Sequence, residues 1–350
     1  MSESQNIVNS SLKAASLNMM TQVVFRLVTF FMNAFVLRYI SRDVLGLIYV
    51  RLNLLDDTII FLSTEGFRLA GLGHNREKGN LQKTVNLMWL TVPVSIIWST
   101  VMGVIWSYYL PSPPPELETQ YHHAVMVVAM TGVLQMLAEP PMVVGQVMMF
   151  VRMKVVMNMI WMTTRVIVLC LAVRLDPDNV IIHWSHGHAL AGLLYVLGYY
   201  AAFRLIIKTN QIDNNQDFPI KSISHLFPSK PSQFTVDPEQ WKVASSFVGQ
   251  AIVKQVLTDC EKYVMTIFNL LTLSEQGIFD VVSNLGSLAA RFIFRPAEES
   301  AYFFFSQLWT RGASLQDQDE ENSVKVKTGL FRLLRLMLYV GKILGLVDIF

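Results

Sequence analysis

VLGLIYVRLNLLDDTIIFLSTEGFRLA, residues 44–70, is long enough to cross a bilayer, yet it carries Arg51, Asp56, Asp57, Glu65 and Arg68. A spanning helix takes about 20 predominantly apolar residues. A charge at the middle of such a helix costs at least about 2.5–3.5 kcal/mol on insertion scales. Five of them cannot face lipid. They must face a bundle interior, a watery cavity or one another, or lie near the helix ends. The stretch therefore predicts a helix lining a polar cavity inside a polytopic membrane protein.

The rest of the chain supports that class. Of its 350 residues 52% are apolar and only 15% charged, with mean hydropathy +0.39; soluble domains are about 25% charged. Apolar runs of about twenty residues recur, and in lipid only helices or closed barrels satisfy every backbone group. The runs are too continuous for alternating barrel strands, so the expectation is an all-α polytopic membrane protein. A net charge of +2 gives no reason to expect nucleic acid as a partner. Cys170 and Cys260 fall in apolar helices and read as two buried thiols without a disulfide. The N-terminus lacks the pattern of a removable signal peptide.

The expected spans are 16–39, 44–70, 84–109, 121–147, 155–174, 184–207, 243–271 and 277–306, with a final apolar helix from about 327 to Phe350. PSPPPELET, 111–119, reads as a rigid extended loop because consecutive prolines fix φ. Glu139-Pro140-Pro141 breaks the fourth span, as a hinge or as a static kink. The hydrophilic stretch 208–241 divides a six-helix lobe, 1–207, from a second part, 242–350. That part reads as a second lobe truncated after about three helices. Lys and Arg concentrate in alternate connections, which puts the N-terminus and the sequon Asn9-Ser10-Ser11 in the cytoplasm.

The chain also resembles itself. At an offset of 233 residues Gln22-Val23 falls on Gln255-Val256, Ser41 on Ser274 and Glu65 on Glu298, among apolar matches. Six spans separate the copies, so both enter the membrane in one direction. This predicts two lobes related by an axis along the membrane normal, with the first two spans and the seventh and eighth lining a cleft.

The charges of those spans form the candidate site: Arg26, Arg38, Arg51, Arg68, Asp56, Asp57 and Glu65, with Lys254, Asp259, Glu261, Lys262, Arg291, Arg295, Glu298 and Glu299. Arg suits phosphate because its planar fork donates two parallel hydrogen bonds. The bland alternative is that these charges pair with one another, such as Glu261 with Lys262, or snorkel to the interface. His183, His186 and His188, with His122-His123, read as loop or helix-start histidines rather than a metal tract. HExxH, paired CxxC and GxxxxGK[ST] motifs do not occur. No enzyme, cofactor or metal site is expected.

VFRLVTFFMNAFVLRYIS (24–41), VRLNLL (50–55), EGFRLA (65–70), NLMWLTVP (86–93), AEPPMVVGQ (138–146), MFVRMKV (149–155), EKYVMTIFN (261–269) and GIFDVVSNLGSLAARFIFRPAEESAYFFF (277–305) carry a resemblance. They resemble the eukaryotic dolichol-linked oligosaccharide translocation proteins of the endoplasmic reticulum, in the multidrug/oligosaccharidyl-lipid/polysaccharide exporter superfamily of flippases. Thr64 departs from the family pattern, which has Arg there.

The resemblance implies a two-lobe bundle of about fourteen helices in the endoplasmic reticulum membrane. It implies a flippase that carries heptasaccharide pyrophosphoryl-dolichol from the cytosolic to the lumenal leaflet for protein N-glycosylation. Arg26, Arg38, Arg51, Arg68, Arg291 and Arg295 would hold the pyrophosphate or sugar. Glu65, Glu298 and Glu299 would position those arginines or bind glycan hydroxyls. The expected partners are the dolichol-linked oligosaccharide and membrane lipids. The alternative is a non-transporting membrane protein that binds the glycolipid or supports its assembly, and a third reading is a cation-coupled exporter of small organic cations.

Overall fold

Residues 42–73 form one uninterrupted helical rod: α1 (Arg42–Leu45), a π-helical stretch (Gly46–Leu52) and α2 (Asn53–Gly73). Ser41 starts it as an N-cap, its hydroxyl accepting from the Val44 N–H at 3.4 Å. The structure is a computed structural model that describes residues 32, 35–73, 81–148, 150–212, 219–229, 235–289 and 320–347. Among them all regular structure is helical.

The helices that follow are α3 (Leu81–Trp89), α4 (Thr91–Val104, continued by a π-helical turn Ile105–Tyr109), α5 (Pro115–Met136), α6 (Glu139–Val147), α7 (Val151–Leu175) and α8 (Val180–Ile212). Beyond the linker come α9 (Pro238–Thr258), α10 (Cys260–Phe268), α11 (Leu273–Ala289) and α12 (Glu320–Val347). Three described helical runs are long and apolar enough to cross a bilayer: Leu81–Tyr109, Arg152–Leu175 and Pro177–Thr209. The bent pair α5 and α6 makes a fourth when taken as one span. The chain falls into two compact units, residues 1–278 and 279–350. In the second, Asn284 Nδ2 donates to Asp280 at 2.7 Å.

In the first unit α2 is the hub. Helices α3, α4, α5, α6 and α9 all pack against it, while α8 packs against α5 and α7 around them. Leu54, Leu55 and Ile59 of α2 are fully buried in an apolar cluster with Trp106, Tyr121, Val128 and Trp184. A second cluster, around Phe67, Leu87, Val143 and Tyr199, occupies the next level along α2.

Several breaks have local causes. The run expected as one span over 84–109 divides at Leu90, because Pro93 has no N–H to offer the Trp89 carbonyl. The Glu139-Pro140-Pro141 break bends α5 against α6 by 42°. Pro141 leaves the Leu137 carbonyl without its helical donor, and the Tyr200 hydroxyl of α8 donates to it at 3.0 Å. The run expected as one span over 243–271 is two helices. Asp259, at φ −112° and ψ 24°, interrupts it and accepts from Gln255 Nε2 at 2.9 Å. Asn269 then ends α10 in the left-handed region at φ 48°. Cys260, read from the sequence as buried, is exposed at the start of α10, and Cys170 is half-buried; both are free thiols.

Part of the linker folds onto the bundle. Ile220 and Leu226 are buried with Val85, Val144 and Phe203. Asn86 of α3 fastens this segment: its Nδ2 donates to Ser229 Oγ and the Thr235 carbonyl, and its Oδ1 accepts from the Ser229 N–H at 3.0 Å. Trp89 Nε1 donates to the Leu226 carbonyl at 2.9 Å.

Two glycines hold the first turn of the rod against α11. A Cβ on Gly46 would overlap the Leu273 carbonyl, and one on Gly277 would lie 2.7 Å from the Arg42 carbonyl and 2.9 Å from the Gly46 nitrogen. Backbone cannot yield as a side-chain tip can. Gly46→Ala is expected to cost about 1–3 kcal/mol and to lower the melting temperature in detergent, with Gly46→Val worse. A Gly277→Ala variant serves as the second arm.

The α7–α8 turn carries a titrating contact outside the spans. Hydrogen bonds from His183 (2.9 Å) and from Asn179 hold the Asp176 carboxyl below the usual carboxylate range. A group depressed on folding contributes fully above its unfolded value of about 3.9 and loses that contribution as the pH falls through its folded value. Hydrogen exchange at 176–183, corrected for intrinsic rate, should therefore quicken below about pH 4. In Asp176→Asn that acid limb should be absent.

Candidate functional site: the polar layers along α2

Charges on a helix packed from all sides need partners on other helices, because an unpaired charge in a low dielectric is costly. The partners lie in three layers.

The first layer surrounds Arg51, which is 1% exposed. Its Nη1 donates to the Pro111 carbonyl at 2.6 Å, and Trp106 Nε1 donates to the Arg51 carbonyl at 2.9 Å. Tyr121 hydrogen-bonds the guanidinium and donates to the Trp106 carbonyl. Arg51 thus pins the proline-rich loop to the rod.

The second layer is Asn53, Asp56, Asp57 and Thr58, one turn of α2. Asp56 Oδ1 lies 3.1 Å from His188 Nε2 and accepts from Gln135 Nε2 at 3.5 Å. Arg165 Nη2 donates to Asn53 Oδ1 at 2.7 Å, and its guanidinium lies 5.6 and 5.4 Å from the Trp161 and Trp184 ring centroids. The Thr58 hydroxyl is 2.5 Å from that of Tyr263 on α10, and Lys262 sits 3.9 Å from Asp259.

The third layer is Glu65 and Arg68. Arg68 grips Glu139 with both prongs, Nε to Oε2 at 2.8 Å and Nη2 to Oε1 at 2.5 Å. Glu139 is the first residue of α6, where the helix N-terminus also favours a carboxylate. Lys254 of α9 donates to Glu65 at 2.5 Å and lies 5.3 Å from the Phe61 ring centroid. The Lys254 ammonium borders an open groove of about 550 Å³ lined by Gly249, Gln250, Val253, Leu257 and Thr258.

Of the arginines and glutamates singled out in the sequence, Arg38 is exposed and Arg51, Glu65 and Arg68 are engaged as described. Arg26, Arg291, Arg295, Glu298 and Glu299 lie outside the described residues, as does the second copy of the charged helix beyond Ala289. Arg51 and Arg68 do not converge: at 1.5 Å per residue they stand roughly 25 Å apart on one rod, too far to share a pyrophosphate. The pairing expected between Glu261 and Lys262 is instead Lys262 with Asp259.

The histidines depart most from expectation. His183, His186 and His188 lie within α8, His186 Nε2 is 3.1 Å from His123 Nε2, and His188 is fully buried against Asp56. The signal was spacing: His188 is two residues past the last loop-like histidine, on the face that Trp184 shares. Glu139 was legible as a kink but not as the partner of Arg68. Among the described residues no group of three or more His, Cys, Asp or Glu is placed to hold a metal ion.

Breaking the third-layer pair should be costly. Arg68→Ala leaves Glu139, 3% exposed, as an unpaired carboxylate. Removing one partner of a buried pair costs about 3–5 kcal/mol, and the lower end applies because Arg68 is a third exposed. Arg68→Met with Glu139→Met should recover most of that loss. Thermal unfolding in detergent, run as a double-mutant cycle, measures both.

The chain matches the family model described as Rft protein over residues 10–347. It is 36% identical over 342 residues to the Man(5)GlcNAc(2)-PP-dolichol translocation protein RFT1 of Xenopus tropicalis, covering 97% of this chain and 63% of that relative. It is 37% identical to the protein of the same name from Mus musculus, with 97% and 62% covered, and 33% identical to that of Drosophila melanogaster, with 97% and 66% covered. The chain thus spans under two thirds of the length of these relatives. No solved structure matches it. A family match running through nearly all of these layers and helices decides the matter of kinship: the chain belongs to the Rft protein family.

Proposed function

We propose that this chain takes part in translocating Man(5)GlcNAc(2)-PP-dolichol across the endoplasmic reticulum membrane, as a flippase working by alternating access. The relatives' shared name supplies the substrate. The observation that carries the reading is the third layer, where Arg68 and Lys254 are each held by an acid, Glu65 of the Lys254 pair lies one turn from Arg68 on α2, and Lys254 borders an open groove. Two cations with exchangeable counter-ions suit a diphosphate: the ligand replaces Glu139 or Glu65 as acceptor, and the freed acids can accept from glycan hydroxyls. With the N-terminus cytoplasmic, this end of α2 faces the cytosolic leaflet, where the headgroup begins its path. Arg51, which ties down the loop at the opposite end, fits a role in closing that end. Arg26, Arg291, Arg295, Glu298 and Glu299 are further proposed headgroup contacts, whereas Arg38, which precedes the start of the rod at Ser41, belongs with Arg51 to the opposite end. The dolichyl chain stays in lipid.

Reconstitution of the chain, and of a full-length relative, in vesicles with fluorescent heptasaccharide-lipid tests the proposal. Glycan should become accessible from the opposite leaflet. Arg68→Gln and Lys254→Gln should each weaken binding of the glycolipid by about tenfold, the loss of one charge-assisted hydrogen bond. Binding without crossing would replace the flippase with a protein that holds or supports assembly of the glycolipid. Unchanged binding in both variants would remove the third layer as the diphosphate site.

A further inference from the structure

We propose that Asp56 and His188 form a proton-binding site buried inside the helix bundle, with His188 as the proton acceptor and Asp56 as its counter-ion. The exposures of the two residues are 4% and 0%, and Oδ1 and Nε2 lie 3.1 Å apart between α2 and α8. Neither imidazole nitrogen has a hydrogen-bond partner with good geometry. The contact becomes an ion pair only when His188 carries the proton. Gln135 of α5 donates to the same Asp56 oxygen, which keeps Asp56 an acceptor and leaves the proton to His188.

The surroundings balance for and against a charged imidazole. In favour stand the Asp56 carboxylate and the face of Trp184, stacked at 5.4 Å and 20° on the His188 ring. Against it stand complete burial and Arg165 of α7. Both indoles touch the two groups: Trp161 lies 5.0 Å from His188 and 5.6 Å from Arg165, and Trp184 lies 5.4 Å from each. Asp57, Asp259 and Lys262 complete the charges facing this turn of α2 from α2 and α10, and α9 contributes the neutral Gln255. Histidine is the side chain whose ordinary titration range reaches neutral pH, so these opposing groups decide whether it carries a proton. Protonation turns a lone buried carboxylate into a paired one, and so tightens α2 onto α8 as the pH falls.

Tryptophan emission reads this directly, because an imidazolium quenches an indole in contact with it and a neutral imidazole does so much less. The purified chain in nanodiscs is titrated from pH 8 to 5. A quench with a single midpoint is expected, lost in His188→Gln and reduced in Trp184→Phe. In Asp56→Asn the midpoint should fall by about one to three pH units, the effect of an opposite charge at this range. A titration unchanged in His188→Gln, or a midpoint unmoved in Asp56→Asn, overturns the proposal. Should His188→Gln fail to fold, as judged by far-UV circular dichroism, the conservative Asp56→Asn arm decides alone.

Discussion

Four buried or half-buried charges of the rod over residues 42–73 are each answered from a different part of the chain: Arg51 by the Pro111 carbonyl, and on α2 Asp56 by His188, Glu65 by Lys254 and Arg68 by Glu139. That constraint governs the first unit. Apolar packing between membrane helices is permissive, since lipid is as apolar as leucine. Charges are not permissive. Each fixes the height and rotation of α2 against one neighbour, and four together leave a single register. The helix that looks least suited to a membrane is the one the others are arranged around.

The prolines belong to the same account. Pro140 and Pro141 stop α5 and start α6, and the new helix begins on Glu139. A carboxylate at a helix start is favoured by the free N–H groups there, and the break points it at Arg68. The carbonyl that Pro141 strands is met by Tyr200, so the break carries little cost in unpaired backbone. Kink and ion pair are one device: without the break, Glu139 would sit mid-helix without a helix end to favour it.

Much of this was open to sequence reasoning. The charge density of 44–70 predicted a helix lining a polar cavity with its charges turned from lipid, and the stretch is helical from Arg42 to Gly73 with its charges facing partners on other segments. The double proline predicted the bend. What escaped was pairing between segments far apart in the chain. Nothing local marks Glu139 as the partner of Arg68 or His188 as that of Asp56, because those contacts arise from how α6 and α8 stack against α2. The linker misled for the opposite reason: its polar composition hides Ile220 and Leu226, two side chains sufficient to seat it. Asp259 broke an apolar run because one side-chain hydrogen bond from Gln255 stabilises a non-helical residue there.

The partners of α2 are unequal. Lys254 is 60% exposed in its bond to Glu65, and exposed pairs are worth about 0–1 kcal/mol. Glu139 is buried, and severing its pair with Arg68 costs about 3–5 kcal/mol; Asp56 and His188 are buried too, and form an ion pair only when His188 is protonated. The ion pair between α9 and α2 is therefore the cheap one and that between α6 and α2 the dear one, while α9 is also held by close packing, the Ala244 carbonyl lying 2.9 Å from where a Cβ on Gly66 would stand. The Thr58–Tyr263 contact and the Gly46–Leu273 approach tie α10 and the start of α11 to the other end of the rod. The exposed Lys254–Glu65 bond is thus the charged contact of the rod most open to exchange with solvent, and the buried Arg68–Glu139 fork is the one that holds its register.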